Sequence, residues 1–472
     1  MSVFETVVGL EVHVELATKT KIFCSCPTDF GAEPNTQVCP VCMGMPGVLP
    51  VLNERAVELA IIAGLATGCE ISAYSKTDRK NYFYPDLPKA YQISQYDIPL
   101  CHDGAVEIET DGGSKRVGVT RIHIEEDSGK LLHDREDATL IDYNRCGVPL
   151  IEIVSEPDIR SASEAVAYLK KLRSILRYTG VSDCKMNEGS FRCDVNLSVR
   201  RPGERMGIRT EIKNLNSFQS VARAIEYEAN RQIALIEQGE VILQQTRRFD
   251  ASTGRTHMLR RKETADDYRF FPEPDLAGIV VSDETVSRLK SEIPELPDTR
   301  RRRYVAEFGL APYDAEMLAD DRSVAEWFEA ALKHTSHAKR LANLALGEMF
   351  RLLGEDEPPK ISPESAAKIV EMAAEGRING ATAKRVFAEV WSSGADPEEV
   401  VRSQGLEQLV DEKELRRLAL EVIAENPKMT ADYRGGKTAA FGALMGRLMH
   451  KTDGRGEPQL MRRTLEQVLN DM

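Results

Sequence analysis

Gly9-Leu-Glu-Val-His-Val-Glu15 decides how the chain is read. Leu10, Val12 and Val14 alternate with Glu11, His13 and Glu15. Successive side chains of a β-strand point to opposite faces. A strand here therefore has one apolar face and one face carrying two carboxylates and an imidazole. The pattern recurs. Arg121-Ile-His-Ile-Glu125 repeats it and runs into Glu126 and Asp127, and Leu150-Ile-Glu152-Ile-Val154 sets one carboxylate among apolar neighbours. Phe191-Arg-Cys-Asp194-Val-Asn196-Leu-Ser198-Val199 and Arg209-Thr-Glu211-Ile-Lys213 alternate throughout. Any half-solvated antiparallel sheet alternates, so one segment alone carries little weight. Together the segments predict a sheet with an apolar side and a side crowded with carboxylates. Packed like charges repel, and are tolerated best when cations, divalent metals above all, neutralise them. Oxygen-rich ligand sets suit Mg²⁺, which keeps several waters and meets substrate phosphates. The expectation is a sheet that carries a metal–phosphate site.

With 472 residues the chain has room for about three domains. An apolar share of 42% and a charged share of 29% exclude a disordered or fibrous chain. No stretch approaches the roughly 18 consecutive apolar residues of a membrane span. Met1-Ser-Val-Phe-Glu-Thr-Val-Val8 has no basic flank and enters a strand pattern at once, so no signal or transit peptide and a cytoplasmic location are expected. Nine cysteines, an odd number, argue against a disulfide framework in such a compartment. The net charge of −13 speaks against general nucleic-acid affinity, but its distribution is uneven. Lys428, Arg434, Lys437, Arg447, Lys451, Arg455, Arg462 and Arg463 face only Asp432, Asp453 and Glu457 in sequence. A basic tail on an acidic chain hints at a polyanion; a solvated helix face is the plainer reading.

Residues 1 to about 290 read as α+β, with strand patterns broken by Asp111-Gly-Gly-Ser114 and Arg201-Pro-Gly-Glu204 turns. Helices are predicted from Asn53 to Thr67, from Ser161 to Tyr178 and from Ser217 to Gln238. Ser161-Ala-Ser-Glu164 opens the second as a capping box. Proline-rich Ser291-Glu-Ile-Pro-Glu-Leu-Pro-Asp298 reads as a linker. Beyond it the chain is almost wholly helical, with Leu341, Leu344, Ala345, Met349 and Leu352 at three-to-four spacing, and with a loop from Glu355 to Pro363. A shift near residue 400 sets off a final helical bundle.

Cys24-x-Cys26-x₁₂-Cys39-x-x-Cys42 is the strongest local motif. Two close cysteine pairs across a short loop suit tetrahedral thiolate ligation of Zn²⁺ better than they suit reduced surface thiols or a redox dithiol. No histidine or acid inside it suggests catalysis, so a filled site is structural. Cys69, Cys101, Cys146, Cys184 and Cys193 are scattered and read as core residues. Ala431-Asp-Tyr-Arg-Gly-Gly436-Lys437-Thr438 nearly spells a phosphate loop, but lacks the first glycine and a preceding buried strand. It is better read as a helix-joining turn. Lys76 to Gln95, dense in cations, aromatics and amides, suits either a functional loop or a surface crossing. No Gly-Ser-rich amidase-type serine signature stands in the chain, and no cysteine stands in a convincing nucleophile context with histidine.

These segments together closely resemble one family, the B subunits of aspartyl/glutamyl-tRNA(Asn/Gln) amidotransferases (GatB). Val8-Gly-Leu-Glu-Val-His-Val-Glu-Leu16, Phe30-Gly-Ala-Glu-Pro-Asn35, Asp78-Arg-Lys-Asn-Tyr-Phe-Tyr-Pro-Asp86 and Ile124-Glu-Glu-Asp-Ser-Gly-Lys130 carry the likeness. Pro149-Leu-Ile-Glu-Ile-Val-Ser-Glu-Pro-Asp158, Arg192-Cys-Asp-Val-Asn196, Lys213-Asn-Leu-Asn-Ser-Phe218 and Asp267-Tyr-Arg-Phe-Phe-Pro-Glu-Pro-Asp275 continue it in order. The resemblance implies an α+β cradle built on an antiparallel sheet and similar to glutamine synthetase, over residues 1–295 with a zinc-binding segment at 24–42. It implies an all-α helical domain at 296–400 and a small helical tail at 401–472, similar to the YqeY proteins and holding tRNA. The implied reaction is ATP-dependent amidation of Glu-tRNA(Gln) or Asp-tRNA(Asn). Ammonia comes from an amidase, the A subunit, and a small C subunit makes up a heterotrimer. Carried over by position, His13, Glu126, Glu152 and Asp194 are the expected Mg²⁺ ligands, with Glu11 close by and Glu125, Asn196 and Glu211 as second choices. Preferring Glu126 to Glu125 assumes a bulge between them. Lys80 and Lys89 are expected to line the ammonia route or bind phosphate. Two competing readings are a stand-alone carboxylate–amine ligase acting on a small metabolite, and a non-catalytic zinc-containing RNA-binding module.

Overall fold

The computed structural model describes residues 4–132, 138–261, 268–354, 357–409, 411–452 and 454–471. Glu355, Asp356, Asp453 and Asp267, the head of the last family motif, lie outside the described residues. The chain divides into two compact units, Met1–Leu296 and Pro297–Met472.

The first unit is mixed α/β, with a large sheet. Its strands are β1 (Glu5–Glu15), β2 (Glu70–Ile71), β3 (Tyr74–Ser75), β4 (Asp78–Asn81), β5 (Tyr91–Ser94), β6 (Cys101–Thr110), β7 (Gly113–Glu126) and β8 (Lys130–Leu132). They continue as β9 (Leu140–Asp142), β10 (Pro149–Ser155), β11 (Phe191–Arg200), β12 (Thr210–Leu215), β13 (Gln245–Asp250), β14 (Arg255–Arg261), β15 (Phe271–Pro272) and β16 (Ile279–Val280). Nine of them form one sheet in the order β14-β13-β12-β11-β1-β10-β7-β6-β2. Every pairing in it is antiparallel except β12 with β13. Helices α1 (Glu54–Ala66), α2 (Ala162–Tyr178) and α3 (Phe218–Glu237) cover one face.

Local chemistry starts each of these helices. Asn53, Ser161 and Ser217 hold extended backbone at the caps and accept from Arg55 N, Glu164 N and Ser220 N. The capping box at α2 is displaced by one residue: Glu164 accepts from Arg160 N rather than Ser161 N, and Lys115 reaches the same oxygen.

Leu10, Val12 and Val14 of β1 pack with Leu59 of α1, Tyr168 and Leu172 of α2 and Val221 of α3 in one core. Each such side chain contributes about 1.5–3 kcal/mol on burial. A one-residue slip of β1 would bury Glu11 and His13 instead, so hydrophobicity fixes which groups face outward.

The second unit is all helical among its described residues. One apolar core gathers Tyr304, Trp327, Phe328, Leu341, Met349 and Phe387. A second gathers Leu415, Val422, Leu448 and Leu465 from helices Glu412–Glu425, Thr438–Lys451 and Pro458–Asp471. The boundary between the two units falls within the proline-rich stretch, and helices reach into both of its ends. Helix α4 (Asp283–Glu292) fills its start, and Pro297 opens the next helix, where its missing N–H costs nothing. Among the described residues no helix is long and apolar enough to cross a membrane.

Candidate active site

The face of the large sheet away from α1, α2 and α3 carries the polar half of the alternating segments, with His123, Glu125 and Glu211 buried there. In register across β7, β10, β1 and β11 stand His123, Glu152, His13 and Arg192. Beside this row Glu11 stands opposite Asp194, and Asn196 opposite Glu211.

Two groups of possible ligands result. In the first, His13 Nε2 lies 3.6 Å from Glu125 and 3.7 Å from Glu152, and His123 Nε2 lies 3.4 Å from Glu152 and 3.7 Å from Glu125. Burial pushes the Glu125 carboxyl up, but neighbouring His123, His13 and Lys80 hold it at about 2. The second group is Glu11, Asp194 and Glu211. Asn196 donates to Glu11 at 2.8 Å and Thr246 to Glu211 at 3.0 Å. Burial and then the charges of Glu152, Glu211 and Asp194 raise the Glu11 pKa. Lys213 reaches Asp194 at 2.5 Å and Glu211 at 3.0 Å. A bulge places it there: the β11–β12 register shifts between Cys193 and Val195, and Asn214, at φ +68°, takes the extra residue.

His13 and Glu125 of the first group and Asp194 of the second border a cleft of about 1060 Å³, at the upper end of small-molecule sites. Lys80, Tyr82, Tyr84, Tyr268 and Arg269 also line it. Lys80 Nζ sits over the rings of Tyr82 and Tyr268, 5.7 and 5.1 Å from their centroids. The cleft thus combines a carboxylate floor with the cations Lys80, Arg192, Lys213 and Arg269.

The four cysteines converge elsewhere in the first unit. Their sulfurs all lie within 4.8 Å of one another, and those of Cys39 and Cys42 are 3.9 Å apart. A tetrahedral site with bonds of ~2.3 Å needs about 3.8 Å between sulfurs, so the donor set fits Zn²⁺. Cys24, the Cys39 N–H and Lys21 draw the Cys42 thiol down to about 4 despite its burial.

A GatB/GatE catalytic domain model matches residues 6–287 and a GatB domain model matches 326–469. In Caldicellulosiruptor saccharolyticus, the B subunit of aspartyl/glutamyl-tRNA(Asn/Gln) amidotransferase is 54% identical over 475 residues, covering 99% of each chain. The chain belongs to the GatB family. Counterparts of the same description from Thermoanaerobacter pseudethanolicus and Thermodesulfovibrio yellowstonii are 52% and 49% identical over 473 residues, again at 99% or more of each chain. Membership in GatB makes this an amidotransferase subunit, the enzyme class expected from the sequence.

Against the GatB-derived expectations, the geometry redistributes several residues. No bulge separates Glu125 from Glu126. Strands β7 and β10 pair one to one from Arg121 to Glu126, and their register shifts only at Val154 and Ser155. Glu126 therefore shares the side of Ile122 and Ile124. There it accepts from Ile93 N at 2.8 Å and pairs with Lys89 at 2.5 Å, and Glu125 stands with His13 and Glu152 in its place. Asp194 joins Glu11 and Glu211 rather than His13. Lys80 lines the cleft, whereas Lys89 borders a separate cavity of about 190 Å³ with Lys21, Cys24, Cys42 and Glu126.

Sequence reasoning omitted His123, Arg192 and Lys213 from the candidate site residues, although all three stand on the polar side of the alternating segments already quoted. In the tail, Lys437, Lys451, Arg462 and Arg463 are ion-paired, and Arg455 donates to Gly405 O. Among the described residues Lys428, Arg434 and Arg447 have no ion pair.

Proposed function

We propose that the chain activates the side-chain carboxylate of Glu or Asp already esterified to tRNA(Gln) or tRNA(Asn), and completes its conversion to the amide. One observation carries the reading: a single cleft brings His13 and Glu125 of one ligand group and Asp194 of the other beside Lys80, Arg192, Lys213 and Arg269. Among its described lining residues there is no cysteine, and the one serine, Ser128, turns its hydroxyl to the Gly129 carbonyl. That set suits phosphoryl transfer, where positioning and charge neutralisation supply most of the catalysis. His13, Glu125 and Glu152 would hold one divalent cation, and Glu11, Asp194 and Glu211 a second. When bound, Mg²⁺ screens the charge between a phosphate-bearing substrate and this floor. The substrate carboxylate oxygen bonds to the γ-phosphorus of ATP, and ADP leaves. Ammonia then bonds to the acyl carbon and phosphate departs with the former carboxylate oxygen. Lys213, Arg192 and Lys80 orient the anionic groups; the aromatic wall of Tyr82 and Tyr268 excludes water from the acyl phosphate.

The ammonia comes from an amidase, the A subunit, and a small C subunit makes up the heterotrimer. The relatives' names speak for a subunit rather than a free-standing ligase. The glutamine-synthetase-like cradle, the helical domain at 296–400 and the tail at 401–472 are part of this reading, as are the structural role of the cysteine site and a cytoplasmic setting. The tail would hold the tRNA body through Lys428, Arg434 and Arg447, with Lys437 at the Gly-Gly turn. Reconstitution with an amidase and a small third protein is the test. ATP-dependent conversion of Glu-tRNA(Gln) to Gln-tRNA(Gln), and none of free glutamate, supports the reading. Amidation of free glutamate without tRNA would replace it with the small-metabolite ligase.

A further inference from the structure

Lys21 is fully buried, at 0% exposure, three residues before Cys24. Its Nζ donates to Gln37 O at 2.7 Å and Tyr143 O at 3.4 Å, and lies 3.7 Å from Cys42 Sγ. Among the described residues it makes no ion pair. Other partly buried cations of the same unit differ: Lys89 has Glu126, Lys213 has Asp194 and Glu211, and Arg79 has Glu273. A buried ammonium whose partners are two carbonyls and a sulfur lacks the counter-ion that such a charge requires unless that sulfur is a thiolate. The four cysteines supply the complementary problem. Four thiolates around a divalent cation leave two net negative charges in a partly buried loop.

We propose that Lys21 is the built-in counter-charge of the four-cysteine centre. It neutralises part of that excess at Cys42 and raises the affinity of the four sulfurs for a divalent metal. The inference rests on reading these cysteines as metal ligands. Cys42 also accepts the Cys39 N–H at 3.2 Å, so one sulfur collects both a backbone dipole and a full charge. The carbonyls of Gln37 and Tyr143 aim the ammonium, which ties the cysteine loop to the segment that follows β9. Lys21 acts through the ligands and is a positioning residue, not a ligand.

The test uses the full chain loaded with zinc and titrated with a chromophoric chelator. Outer partners of metal ligands are typically worth about 10–100-fold in affinity. Lys21→Met should weaken zinc by that factor and Lys21→Arg by less, while secondary structure is retained. Wild-type affinity in Lys21→Met overturns the proposal. A wild-type chain that takes up no zinc overturns the reading of the cysteines as well, which separates the two failures. Thermal melting guards against a purely packing role. In a Cys42→Ser background, where the counter-charge has lost its thiolate, Lys21→Met should cost much less stability than it does in the native chain. Equal losses in both backgrounds would make Lys21 a mere tether of two carbonyls.

Discussion

Glu125 and Glu126 are adjacent, equally buried and chemically identical, yet only one of them faces the cleft. The pleat of β7 makes the difference: Glu125 follows His123 onto the open face, and Glu126 follows Ile124. Their substitutions should part accordingly. Glu125→Gln and Glu152→Gln are expected to lower amidation on the order of 10²-fold and to weaken divalent-cation binding measured by calorimetry, with the partner's glutaminase unchanged. Glu126→Gln should leave cation binding alone. It strands the Lys89 ammonium, so its cost is about 3 kcal/mol of stability, read by denaturant unfolding. Loss of cation binding in Glu126→Gln would reverse the assignment. Which of the two faces the cleft was legible at this scale, since apolar Ile122 and Ile124 already place 123 and 125 on the polar side. An expected bulge obscured it. Pairing of Asp194 with Glu11 and Glu211 was not legible, because strand register between distant segments is a tertiary property.

Helix starts were readable at the scale of elements because their chemistry is local. Asn53, Ser161 and Ser217 each cap the helix that follows. Asn53 does more, since its Nδ2 also donates to Thr20 O at 3.2 Å and Lys21 O at 3.3 Å, pinning α1 to the cysteine-bearing segment. Asn53→Ala should therefore destabilise the chain by about 1–2 kcal/mol, seen as a lower melting temperature with little change in cleft chemistry. An unchanged melting temperature would show that neither bond matters. Short strands were invisible in advance. Residues Lys76 to Gln95 read as loop or crossing, yet β4 and β5 within them pair with each other, and Asp78 and Arg79 of β4 pair with Pro272 and Phe271 of β15. Two-to-four-residue strands carry too few alternations to register, and β15 lies nearly 200 residues away. The parallel β12–β13 pairing, which brings Thr246 beside Glu211, is another contact that no local pattern announces.

Charge at the scale of the whole molecule is better judged from partners than from counts. Half of the eight basic residues from Lys428 to Arg463 are spent on Asp432, Glu421, Glu425, Glu466 and Glu412, and Arg455 donates to a backbone carbonyl. Lys428, Arg434 and Arg447 remain, and replacing all three by alanine should raise the KM for aminoacyl-tRNA. If each meets a phosphate, the slope of log affinity against log salt should flatten by about 2–3. An unaltered salt slope would take the tail out of tRNA binding. The fold was legible in outline, as a carboxylate-faced sheet followed by helices, because alternation and helical spacing are written in the chain. The central claim is that the cleft activates a carboxylate by phosphorylation. Its most direct test gives the reconstituted complex Glu-tRNA(Gln) labelled with ¹⁸O in both side-chain carboxylate oxygens, together with ATP and glutamine, and analyses the products by mass spectrometry. The account predicts ADP and one ¹⁸O in the inorganic phosphate for each amide formed. Unlabelled phosphate, or ¹⁸O carried into AMP, would contradict it.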